Sequence, residues 1–102
     1  MSILHTVNKS PFEKSSLESC LKYAKGGSAI LLIEDAVYAA LQGTAIGERL
    51  GAVDKELGVF VLGPDLMARG LVDKPLIENI EVVDYEGFVE LAAQYDKVQA
   101  WL

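Results

Sequence analysis

Hydrophobic and polar positions change rhythm several times along the chain, and each change marks an element. Residues 29–33, AILLI, are apolar without a polar break. A run of that kind suits a strand covered on both faces, the pattern of a parallel sheet. It stops abruptly at Glu34 and Asp35 and gives way to helix formers over 36–41, with Tyr38 and Gln42 four apart and Gly43 placed for a C-cap. Strand, acidic turn, helix is the reading. Because loops leaving the carboxyl ends of strands meet ligands in open α/β sheets, the acidic turn is a marked position.

The flanking segments repeat that grammar. Ile3–Val7 alternates, with Ile3, His5 and Val7 on one face and Leu4 and Thr6 on the other, as a first strand. Two overlapping capping boxes follow: Ser10 with Pro11 and Glu13, or Ser15 with Glu18. The helix they open carries Leu17, Cys20, Leu21 and Ala24 at 3.6 spacing, and Gly26 and Gly27 stop it. Residues 43–58 are the least legible, with glycines around a helix-like piece at 46–53. Residues 59–62 form another wholly apolar strand, 66–69 a helical turn closed by Gly70, and 71–79, holding Pro75, a connection. Ile80–Val83 is a fourth strand, and Asp84 is the N-cap candidate for a helix from 85 to about 95 that shows Phe88, Leu91, Ala92 and Tyr95 on one face. Residues 97–102 close the chain as an edge strand, with Trp101 packed against something. Strands alternating with helices predict an α/β fold: a three-layer α/β/α sandwich around a mostly parallel sheet of about five strands. No repeat or linker divides residues 1–102, so one domain is expected.

Charge and cysteine content narrow the function classes. A net charge of −6, with Lys and Arg scattered, makes direct nucleic-acid binding a poor fit, since that needs clustered cations. The single cysteine, Cys20, excludes an internal disulfide and suits a reducing cytoplasm. The start, MSILHTVNK, lacks the charged head and long apolar core of a signal peptide, and no run reaches membrane-spanning length. A soluble cytoplasmic protein without membrane contact is expected.

Several chemistries find no support. Gly26 and Gly27 end a helix instead of opening one, neither glycine spacing of the nucleotide motifs occurs, and there is no serine elbow. Asp35, Asp65 and Asp84 each follow a strand and could gather round Mg²⁺ as in a phosphoryl-accepting domain. The plainer reading makes Asp65 and Asp84 helix N-caps and Asp35 a solvated carboxylate. Cys20 is the sole nucleophile candidate. Its place on the apolar stripe of the first helix suits a buried, inert thiol, and a sulfur-accepting thiolate is the sharper alternative. Neither Lys22 nor Lys25 shares its face, which leaves His5 as a proton partner if the first strand faces the first helix. The plainer reading of His5 is a hydrogen-bonded filler.

The segments ILHTVNKSPF, SLESCLKYA, ILLIEDAVYAA, LGPDLMARGL and VDYEGFVELAAQYDKVQAWL together resemble the TusB/DsrH family, with the DsrH branch closest. Only 43–58 lacks a recognisable pattern. The resemblance implies a three-layer α/β fold and a subunit of a heterohexamer built from two copies each of three related chains. Its partners would be DsrE/TusD-like and DsrF/TusC-like subunits. The complex would pass persulfide sulfur to a DsrC/TusE-type carrier, either in cytoplasmic sulfur oxidation or toward the 2-thio group of a tRNA wobble uridine. The main active cysteine would lie on the DsrE/TusD partner. Cys20 matches the first-helix cysteine of DsrH-like chains, a possible persulfide carrier, and no cofactor or metal is implied. In the alternative this chain is a non-catalytic assembly subunit, with Cys20 buried and Trp101 and Leu102 docking sister chains.

Overall fold

The computed structural model describes residues 2–102. Its five strands, β1 (Ile3–Val7), β2 (Ala29–Leu32), β3 (Gly58–Leu62), β4 (Ile80–Val83) and β5 (Lys97–Trp101), form one sheet in the order β4-β3-β2-β1-β5. Every neighbouring pair runs parallel. The two apolar runs lie parallel in that one sheet, as neighbours, with Ile30 opposite Val59 and Leu32 opposite Val61.

Helices cover both faces unequally. Helix α1 (Ser16–Tyr23), the 3-10 helix Glu34–Ala40, α2 (Ala45–Gly51) and α3 (Gly63–Ala68) pack on one face, over Val7, Ile30, Leu32, Val59 and Val61. Helix α4 (Tyr85–Gln94) alone lies on the other, with Leu91 against Leu4, Ala29 and Leu31. The sheet order explains the split. Strands one to four add in one direction, and α4 then carries the chain back across the sheet to place β5 beside β1, so crossovers of one hand put it on the opposite face. All four residues of β2 are buried, as an uninterrupted apolar strand requires.

Four local expectations change. The segment read as an α-helix over 36–41 is a 3-10 helix that starts earlier, at Glu34, which itself sits in left-handed backbone with φ 50°. The tighter coil follows from its surroundings: Ile33 enters extended, and Leu41 is pulled out into a bridge with Leu76, leaving too little chain for α-helical closure. Gly43 is therefore not a C-cap; at φ 88° it turns the chain toward α2, whose cap is Thr44 accepting from the Gly47 N–H at 2.9 Å. Helix α3 begins at Gly63, three residues before the turn expected at 66–69, because Pro64 suits a first helical turn. It ends as expected at Gly70, whose φ of 68° lets its own N–H and that of Leu71 close back onto Met67 and Leu66. Neither capping box forms: α1 starts after Ser15, which holds the N-cap position without a side-chain cap hydrogen bond, and the Ser10 carbonyl closes only an isolated turn by accepting from the Glu13 and Lys14 N–H groups. Among the described residues no helix is long and apolar enough to cross a membrane.

Candidate functional site

Helix α1 presents Leu17 and Cys20 to the sheet and leaves Glu18 and Lys22 in solvent. Cys20 is 0% exposed, in the cluster that contains Val7, Ile30 and Leu32. Burial pushes its thiol up to about 12, because a thiolate there would forfeit its hydration. No compensating charge is supplied. Cys20 lies beyond the first turn of α1, where the helix N-terminus has little effect, and Lys22 and Lys25 are exposed.

His5 is buried on the same sheet face as Val7, but its side chain is already engaged. The Trp101 Nε1–H donates to His5 Nδ1 at 3.0 Å. An accepting Nδ1 is unprotonated, so in the neutral ring the proton sits on Nε2. Burial also lowers the pKa of His5 below its usual value. Of the two readings of His5, the hydrogen-bonded filler is the one the geometry favours.

Trp101 is gripped from a second side. The Tyr23 ring stacks on it with centroids 5.9 Å apart, while His5 tilts against it at 6.1 Å. Ser16 Oγ donates to the Leu102 carbonyl at 3.1 Å, so the end of β5 is tied to both β1 and α1. A crevice of about 420 Å³ opens beside this clasp, lined by Glu13, Lys14, Ser15, Ser16, Ser19 and Trp101. It lies where the strand order reverses, between β1 and β5, the position at which open α/β sheets bind ligands. Sequence reasoning singled out Trp101 but missed Tyr23 and the crevice, since both depend on β5 pairing with β1.

The carboxylates beyond the strands do not converge. Asp84 is the N-cap expected, accepting from the Gly87 N–H at 2.8 Å. Asp65 is no N-cap: Leu62 holds that position, and the Asp65 carboxylate accepts the Glu34 N–H at 2.6 Å, joining the turns after β2 and β3. Asp35 is exposed and ion-paired, with Arg69 Nη2 2.9 Å from its Oδ1. Among the described residues no group of three or more His, Cys, Asp or Glu side chains could hold a metal ion.

A three-layer parallel sheet with one cysteine on its first helix can be compared with known proteins. The family model described as DsrH like protein matches residues 9–98. The chain belongs to the DsrH family. Curated relatives agree along the full length: Protein TusB of Pectobacterium parmentieri is 35% identical over 99 residues, covering 97% of this chain and 100% of that one. Protein TusB of Erwinia tasmaniensis is 36% identical, and that of Escherichia coli K12 32%, with the same coverage. In fold, this DsrH-family chain matches the crystal structure of the ychN protein from E. coli with a TM-score of 0.85 over 98% of both chains, at 21% identity. A protein of unknown function from Methanobacterium thermoautotrophicum matches with a TM-score of 0.67 over 96% of both chains, at 12% identity.

Proposed function

We propose that this chain is a cytoplasmic subunit of a sulfur-relay complex and that its own contribution is structural, the reacting sulfur being carried by a sister subunit. Family membership supports the relay. The state of Cys20 carries the division of labour. In persulfide exchange an attacking thiolate takes the outer sulfur and the donor leaves as a thiolate, so the step consumes no oxidant and needs no metal or cofactor. It does require a thiolate within reach. A thiol held at about 12 is ionised to only about one part in 10⁵ at neutral pH, and Cys20 is closed to solvent. In this reading the persulfide sits on a DsrE/TusD-like partner, a DsrF/TusC-like chain completes a heterohexamer, and a DsrC/TusE-like carrier receives the sulfur. The destination is either sulfur oxidation or tRNA wobble-uridine 2-thiolation. The acidic charge fits a subunit that makes no direct contact with tRNA or membrane.

One observation favours a second reading, in which Cys20 carries persulfide: the switch-point crevice adjoins the first turn of α1, so an opening of the Trp101 clasp would bring an attacking thiol near Cys20. A single experiment separates the two. The assembled complex is loaded with a persulfide donor, and the peptide bearing Cys20 is weighed. The structural reading expects no added sulfur there and undiminished sulfur transfer by Cys20→Ala. A 32 Da adduct on that peptide, with transfer lost in Cys20→Ala but not in a variant of matched stability, would establish Cys20 as a carrier.

A further inference from the structure

The free edge of β4 runs along the floor of a groove of about 1160 Å³. Its two flanks differ in chemistry, and the strand's pleat is the reason. Val82 pairs with Val61 and projects toward α3, where Leu66, Met67 and Val72 make that flank wholly apolar. Met67 and Val72 are 69% and 60% exposed, apolar surface left in water among the described residues. Glu81 pairs with Phe60 and projects toward α4, where it is joined by Asp84 and Glu90. Among the described residues no Lys or Arg lines the groove.

We infer that this groove receives an extended segment of a partner protein whose side chains alternate apolar and basic, added to β4 as a sixth strand. An added strand would satisfy the unpaired backbone groups of an edge. Because successive residues of a strand point to opposite faces, one set of its side chains would meet the apolar α3 flank and the other the carboxylates on the α4 flank. A helix lying in the groove would leave the β4 edge unpaired, and a second copy of this chain, at net charge −6, would bring more negative charge to an acidic rim. The inference goes beyond the relay reading and involves neither Cys20 nor the β5 clasp.

The test titrates the full-length protein with a fluorescent Val-Lys-Val-Lys-Val-Lys peptide at low ionic strength, read by anisotropy. Controls are the Val-Glu counterpart and a Leu/Lys peptide patterned at helical spacing. Binding of the Val-Lys peptide is expected, weakening with added salt. It should drop at least tenfold in the double variant Glu81→Lys/Glu90→Lys, which in turn should gain affinity for the Val-Glu peptide. Both substituted residues are exposed, and an unchanged urea midpoint confirms the fold. Hydrogen exchange should slow at the β4 amides on binding. No binding by the wild type, equal binding by the double variant, tighter binding of the helical peptide, or self-association through the groove that a Val82→Arg variant abolishes would each overturn the proposal.

Discussion

At the β5 edge of the sheet both ends of the strand are tied back to the chain. Trp101 donates to His5 and stacks on Tyr23, Ser16 donates to the Leu102 carbonyl, and at the start of the strand the Asp96 carboxylate accepts from the Ser2 N–H at 3.0 Å. The β4 edge borders a groove instead; the strands themselves are alike in exposure, with Val82 50% exposed on β4 and Val98 49% on β5. Both are terminal strands of one parallel sheet, so the contrast is not a matter of secondary structure. It lies in the side-chain ties made at the ends of β5. The ties at the end of β5 hold Trp101 against the cluster that contains Cys20, while the rest of that strand is exposed, and the β4 edge borders a groove with room for another molecule.

Substitutions separate the two edges, starting from the core they share. Leu32→Ala removes a fully buried side chain from the central strand on which both edges depend, and should cost about 2–5 kcal/mol in urea unfolding. Trp101→Ala should cost about 2 kcal/mol, less than for a fully buried tryptophan because the ring is partly exposed. It should also raise the modification rate of Cys20, whereas an equally destabilising change on α4 should not.

The clasp is sensitive to pH in a defined direction. His5 has a lowered pKa in the folded protein, so below about 6.5 the unfolded chain binds the proton more readily and the native state loses stability. That stability is present above 6.5 and disappears as pH falls toward the folded value. Urea midpoints measured against pH should therefore show the advantage of wild type over His5→Gln shrinking below 6.5, while carboxylate titrations common to both cancel. Val82→Lys at the open edge should be the mildest, within about 0.5 kcal/mol, since it removes little buried area. A cost near that of Trp101→Ala would mean the two edges are not different in kind.

Much of this architecture was legible in residue order. Residues 29–33 and 59–62 announced buried parallel strands because no polar residue interrupts them, and Asp84 announced α4 because a cap has a local signature. What escaped was nonlocal. The 3-10 geometry of Glu34–Ala40 depends on Leu41 being drawn to Leu76, and the His5–Trp101 hydrogen bond joins residues 96 positions apart that meet only when β5 pairs with β1. The position of Cys20 on an apolar stripe was readable; the completeness of its burial was not, since it requires knowing which strands lie beneath α1.

The claim that this chain lends structure to a sulfur relay while its own thiol stays silent is tested most directly by the alkylation rate of Cys20. It is followed with iodoacetamide from pH 7 to 9, in the isolated protein, in the assembled complex and in urea. A closed thiol held at about 12 predicts negligible alkylation in both native forms and rapid alkylation in urea. Alkylation of the assembled complex at a rate approaching that of the unfolded chain would contradict the account and return Cys20 to the relay.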